Sequence, residues 1–215
     1  MSEVASRLYT VGEASAVSGL TVKAVNNAID KGVVWIDRPK VLTTRVKSVR
    51  RLSEIHLVRL KLWHVLGGVL SKDRREHLFA NMSVRPHEKL VKVDEMLFVD
   101  VAAAFKEVAA KLGELAEAEA AVERKPSVMN GEPVFKGTRI PVRLIAGMVK
   151  DGVSEDVILE GYPKLDRRLL SLAVTWAAAH PARGRPKLLK DKGIALLSSK
   201  RISLDRKASV VEPRS

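Results

Sequence analysis

The sequence contains no cysteine, which excludes disulfides, thiolate zinc sites and cysteine nucleophiles together. Aromatic residues make up only 4% of it, so its cores must be built from Leu, Val, Ile and Ala. No stretch approaches the roughly 18 consecutive apolar residues of a membrane-spanning helix. The opening "MSEVASRLYTVGEAS" lacks the continuous apolar segment of a secretory leader. Together these absences predict a cytoplasmic protein without a membrane partner. Catalytic signatures are missing too: there is no H-E-x-x-H, no Walker loop and no paired nucleophile and base. The five histidines (His56, His64, His77, His87 and His180) are scattered. His56 and His64 share a helix pattern but have no carboxylate four residues away, as a metal site on one helix face would need. No catalytic residue, metal ligand or cofactor is expected, and the protein reads as a non-enzyme.

What the chain has is positive charge, +13 over 215 residues, unevenly spread. Residues 1–90 carry 16 Lys/Arg against 8 Asp/Glu, and residues 91–124 carry 4 against 8. Residues 125–181 carry 8 against 6, and residues 182–215 carry 10 against 3. Two basic ends around an acidic middle point to two polyanionic partners, or to one partner met twice.

Near the N-terminus, Val11, Ala14, Val17 and Leu20 recur at helical spacing, with Gly19 as a stop. Thr21 then caps a second helix carrying Val22, Val25 and Ile29 and ending at Gly32. Two short helices around "SGLT" form a helix-turn-helix pattern. The β-branched, basic "VVWIDRPKVLTTRVKSVRRLS" follows as a small hairpin. Ser53 caps a helix with Ile55, Leu57, Val58, Leu60, Leu62 and Val65, Gly67 and Gly68 break it, and Ser71 opens another.

In "YTVGEAS", "SGLTVKAV", "DKGVV" and "RLSEIHLVRLKLWHVLGGVLSKD", residues 8–82 resemble the winged DNA-binding domain of MerR-type regulators. The resemblance implies that the second helix enters a DNA groove, with Thr21, Lys23, Asn26 and Asn27 near its start. A wing bearing Arg38, Lys40, Arg45, Lys47, Arg50 and Arg51 would hold the backbone. Where the family carries an arginine and aromatics in the second helix, this chain has Val25, Asn26 and Asn27. It also lacks sensing cysteines and a following coiled coil, so a metal or drug sensor is not expected.

Residues 83–99 read as a loop and short strands, "LVKV" and "MLFVDV", turning at Asp94 and Glu95. A helix rich in Ala, Glu and Leu follows, capped by Asp100, with Phe105, Val108, Leu112 and Leu115 as its stripe. It is expected to be a connector or dimerising helix with an acidic, solvated outer face.

The densest motif is "SVMNGEPVFKGTRIPVR" at 127–143. Gly131 and Gly137 allow positive φ, Pro133 stiffens the turn, and Pro141 suits a first helical turn. Three helices follow, with Ser154 and Asp166 as N-caps and Gly152, Pro163 and Pro181 as stops. Arg139 either clamps a phosphate or partner carboxylate, or pairs internally while Thr138 hydrogen-bonds the turn. The structural role is favoured, because the Gly and Pro around it serve geometry. Trp176 is assigned to core.

"GEPVFKGTRIPV" with "DGVSEDVILEGYPKLDRRLLSLAVTWAAAH" resembles a small bacterial domain of unknown function found mainly in VapB-like type II antitoxins. The resemblance implies a PIN-type ribonuclease toxin as partner. After it, "HPARGRPKLLKDKG" opens a basic tail. Arg183 and Arg185 flank Gly184 as in a minor-groove arginine hook. Behind an antitoxin-like domain, the run reads first as the start of a toxin-binding arm through Arg183, Arg185, Lys187, Lys190, Ile194, Leu196, Leu197, Lys200 and Arg201. DNA contact stays open as the other reading.

The expected fold is mainly α: a winged helix-turn-helix (1–82), short strands and a connector (83–124), a three-helix domain (125–181) and an extended tail (182–215). The expected function is an antitoxin that inhibits its toxin and represses its own operator DNA, as a homodimer or larger toxin–antitoxin assembly. The alternative is a MerR-like regulator or AT-rich DNA-binding protein without a toxin.

Overall fold

A computed structural model describes residues 7–34, 50–85 and 88–182. The wing residues Arg38, Lys40, Arg45 and Lys47 lie outside the described residues, as do all nine tail residues named above. Residues up to Pro181 cluster as one compact unit.

The expectation of a mainly helical fold is met. The described residues form α1 (Val11–Ser18), α2 (Val22–Asp30), α3 (Glu54–Val65), α4 (Lys72–Val84), α5 (Ala102–Ala120), α6 (Val142–Lys150), α7 (Glu155–Gly161) and α8 (Arg167–Ala179). Two short antiparallel pairs accompany them: β1 (Leu90–Lys92) with β2 (Phe98–Asp100), and β3 (Val122–Glu123) with β4 (Val134–Phe135).

The helix boundaries follow from local chemistry. Thr10 and Glu13 form a reciprocal capping box at the start of α1, and Gly19 ends that helix with a left-handed φ of 78°. Thr21 accepts from the Ala24 amide at 3.2 Å, so α2 restarts two residues later. Ser154 and Asp166 accept from the Val157 and Leu169 amides at 3.4 and 2.7 Å. Asp100 differs slightly from expectation. Val101 holds the N-cap position of α5, while the Asp100 carboxylate accepts from the Ala102 amide at 2.8 Å.

Two aliphatic cores result. The first gathers Ala14, Val17, Val25, Ile29, Leu52, Leu57, Val58 and Leu60 with Val91, Val108 and Leu115. Tyr9 and Leu52 exchange backbone hydrogen bonds of 2.8 and 2.9 Å, so the chain that leaves at Val34 re-enters beside its own beginning. The second core gathers Phe135, Val142, Ile145, Ile158, Leu170, Ala173 and Trp176.

Two helices cross between the cores: Ala118 of α5 is buried in the second and Ala179 of α8 in the first. The middle helix is therefore an internal scaffold against α1, α3 and α8. Its apolar stripe (Phe105, Val108, Leu112 and Leu115) packs within the chain, as the connector of the two expected roles requires. Its acidic face is also engaged. Glu107 pairs with Lys61 at 2.8 Å, Glu119 with Arg7 at 2.8 Å, and Glu117 with Arg168.

Candidate nucleic-acid interface

The α2 helix has one face in the first core and one in solvent. Val25, Ala28 and Ile29 are buried, while Lys23, Asn27 and Lys31 are exposed at i, i+4 and i+8. This spacing stacks three side chains along a single stripe. None of the three side chains makes a hydrogen bond or ion pair among the described residues, so two ammonium groups and an amide face outward. Lys31 was not among the expected contacts. Its position one turn beyond Asn27, in the "DKGVV" segment, is the signal that places it on the same stripe.

Two expected contacts are turned elsewhere. Asn26 donates to the Val22 carbonyl at 3.0 Å and accepts from Arg50 at 2.7 Å, and Arg50 also donates to Asp30 at 2.7 Å. The Arg50 guanidinium thus ties the end of α2 to the returning chain. Sequence spacing could not show this, because Arg50 lies 24 residues from Asn26. Thr21 is exposed but serves as the cap of α2, and Arg51 is exposed without a partner among the described residues.

The motif at 127–143 is a rigid entry to α6. Met129, Asn130 and Gly131 have φ of 47°, 54° and 79°, and Gly137 has 74°. Pro133 is buried, its carbonyl accepting from Val142 at 3.0 Å, and Pro141 is the N-cap residue of α6. Thr138 donates its hydroxyl to the Phe135 carbonyl at 2.9 Å and accepts from the Ile140 amide at 3.1 Å. Arg139 departs from the internal pairing expected of it: its side chain is exposed and has no partner among the described residues. Trp176 is core, 4% exposed.

Tertiary structure also assembles a charged cluster that no local motif announced. Glu13, Glu119 and His180 bring their ligand-type atoms within 4.8 Å of one another. This spacing would suit a cation, and Arg7 supplies one, donating to Glu13 at 2.9 Å and to Glu119 at 2.8 Å. Burial pushes the Glu13 carboxyl up, but the Thr10 amide and hydroxyl and the Arg7 guanidinium outweigh it and hold the group below its usual range. A carboxyl shifted down in the fold stabilises it above the unfolded pKa, and that contribution is lost as pH falls through the folded value. Glu13→Gln is therefore expected to cost about 2 kcal/mol at neutral pH. In urea titrations the gap from the wild type should be full above the ordinary glutamate pKa of about 4.3 and should close as the pH falls below it. A gap that does not change with pH would remove the ion pair from the account.

The described residues thus define a mainly helical protein with an outward polar stripe on a short, capped second helix. No helix among them is long and apolar enough to cross a membrane. Residues 122–177 match a family model described as "Protein of unknown function (DUF433)". Over 222 residues the chain is 29% identical to the uncharacterized protein y4eO of Sinorhizobium fredii (strain NBRC 101917 / NGR234), covering 94% of this chain and 96% of the relative. Among solved structures it is similar to Rv2018 from Mycobacterium tuberculosis, with 16% identity and a TM-score of 0.31, over 78% of this chain and 97% of that one.

Proposed function

We propose that the protein is the antitoxin of a type II toxin–antitoxin pair, binding operator DNA through α2 and a PIN-type ribonuclease through its basic tail. The observation that carries the DNA half is the free Lys23–Asn27–Lys31 stripe on a helix whose opposite face is buried. Lysines there neutralise phosphates, and an exposed asparagine is the side chain suited to read adenine in the major groove. Arg50, held by Asn26 and Asp30, sets the angle of that helix and is a positioning residue. The wing arginines and lysines add backbone contacts under this reading.

The toxin half rests on the resemblance of residues 129–180 to antitoxin-associated domains and on the +7 of the tail. A metal-dependent nuclease gathers carboxylates around its cation, so its cleft is acidic and attracts a basic arm.

The two halves are tested separately. With DNA from upstream of its own coding region, Lys23→Ala/Lys31→Ala is expected to weaken binding and to reduce the slope of log K against log salt by about 2. An unchanged slope would exclude α2 from the interface. A chain ending at Pro181 is expected to keep that DNA binding and lose neutralisation of a co-expressed neighbouring ribonuclease. If it still neutralises, the three-helix segment carries the toxin contact. If no nuclease co-purifies with the full chain, the protein is a regulator without a toxin.

A further inference from the structure

The β1–β2 hairpin has one face against the first core and one in solvent. Val91 and Val93 point inward and are buried, whereas Leu90, Lys92, Phe98 and Asp100 are exposed. Leu90 is 57% exposed, Phe98 51%, and Met96 at the tip 95%. In a chain with four phenylalanines, an outward Phe98 beside an outward Leu90 is an unusual use of apolar surface.

The register turns these four residues into a pattern. Leu90 lies opposite Asp100, and Lys92 lies opposite Phe98. The apolar pair therefore occupies one diagonal of the patch and the oppositely charged pair the other. A two-fold axis along the apolar diagonal lays Leu90 on its own copy and Phe98 on its own copy. The same operation sets Lys92 opposite Asp100 of the second molecule, and does so twice. Such a face is self-complementary, as a two-fold interface requires. Within one molecule Lys92 makes no side-chain ion pair among the described residues, and Asp100 is engaged only by the Ala102 amide.

We propose that the outer face of this hairpin is the centre of a homodimer interface, its occupant a second copy of this chain in the same orientation. The proposal is independent of the toxin and DNA readings. The hairpin, and not α5, supplies the dimer surface, since the α5 stripe is covered within the chain.

The absence of native cysteine makes the test clean, because each single-cysteine variant reports one position. Under mild chemical oxidation of the full-length protein, Leu90→Cys and Phe98→Cys are expected to form intermolecular disulfides, each two thiols giving up two electrons and two protons to the added oxidant. Lys92→Cys, and Val69→Cys at an exposed position outside the hairpin, are expected to cross-link at least about tenfold more slowly. Sedimentation velocity across a concentration series should show a wild-type dimer. Phe98→Glu should shift it to monomer, and Lys92→Glu should weaken it about tenfold, since it places two like-charge pairs across the axis. Both positions are exposed, so neither change threatens the fold, and unaltered thermal melts verify that. A wild-type monomer throughout, a dimer indifferent to Phe98→Glu and Lys92→Glu, or equal cross-linking at positions 69, 90 and 98 would each overturn the proposal.

Discussion

Replacing Gly12 with alanine is expected to destabilise the protein by about 3 kcal/mol, the upper end of what an inserted methyl costs in a packed site. Gly12 lies in the first turn of α1, where a β-carbon would stand 2.3 Å from the Ala179 carbonyl oxygen and 3.0 Å from Pro181 Cδ. The obstacle is backbone at the last turn of α8, which cannot rotate aside as a side chain tip would. Either α1 or the end of α8 must move, and with it the cluster of Arg7, Glu13, Glu119 and His180 that spans the same junction. A melting temperature lower by about 6–12 °C is the expected reading for a chain of this size. Gly113 is the internal control. It sits in α5 with nothing within 4 Å of a built β-carbon, so Gly113→Ala should raise stability by about 0.5–1 kcal/mol. Equal melting points for the two variants would show that the contact between α1 and α8 does not bear on stability.

Trp176→Ala is expected to cost about 3–5 kcal/mol, the range for emptying a large aromatic site. Trp176 fills the second core among Phe135, Ile145, Ile158 and Leu170. It also stacks on His180, with ring centroids 4.5 Å apart and planes 17° from parallel, and carries the Arg143 guanidinium 5.2 Å from its ring. Arg143 in turn donates to the His180 carbonyl at 2.6 Å, one of the acceptors exposed at the end of α8. Removing the indole therefore leaves a cavity and loosens the cap of α8. Urea denaturation measures the loss, and hydrogen exchange should show it first in α6 and α8. Because Ala179 is buried in the first core, faster exchange should extend to α1. Protection lost only in α6 and α8 would mean that the two cores unfold independently.

The sequence by itself determined the helices and their ends. Thr10, Thr21, Ser53, Ser71, Ser154 and Asp166 stand at or beside N-caps, and Gly19, Gly131, Gly137 and Gly152 take the left-handed backbone that the turns demand. These features are legible because caps and turns are made within four residues, where spacing along the chain equals spacing in space. It also determined the outward placement of Lys23 and Asn27 on α2, through the 3.6-residue period of the buried face.

Only the tertiary structure decided which polar groups are free. Asn26 and Arg50, candidates for DNA by position, satisfy each other and Asp30. Arg139, expected to pair within its motif, faces solvent alone among the described residues. The acidic residues of α5, expected to be a solvated face, meet Arg7, Lys61 and Arg168 from distant segments. Gly12 looks like an ordinary glycine in a helix, and its need arises from the Ala179 carbonyl, 167 residues away, and the Pro181 ring beside it. Charge pairing and close backbone approach depend on which helices become neighbours. That is fixed by the shape of two cores joined through α5 and α8, a property that no window of sequence contains.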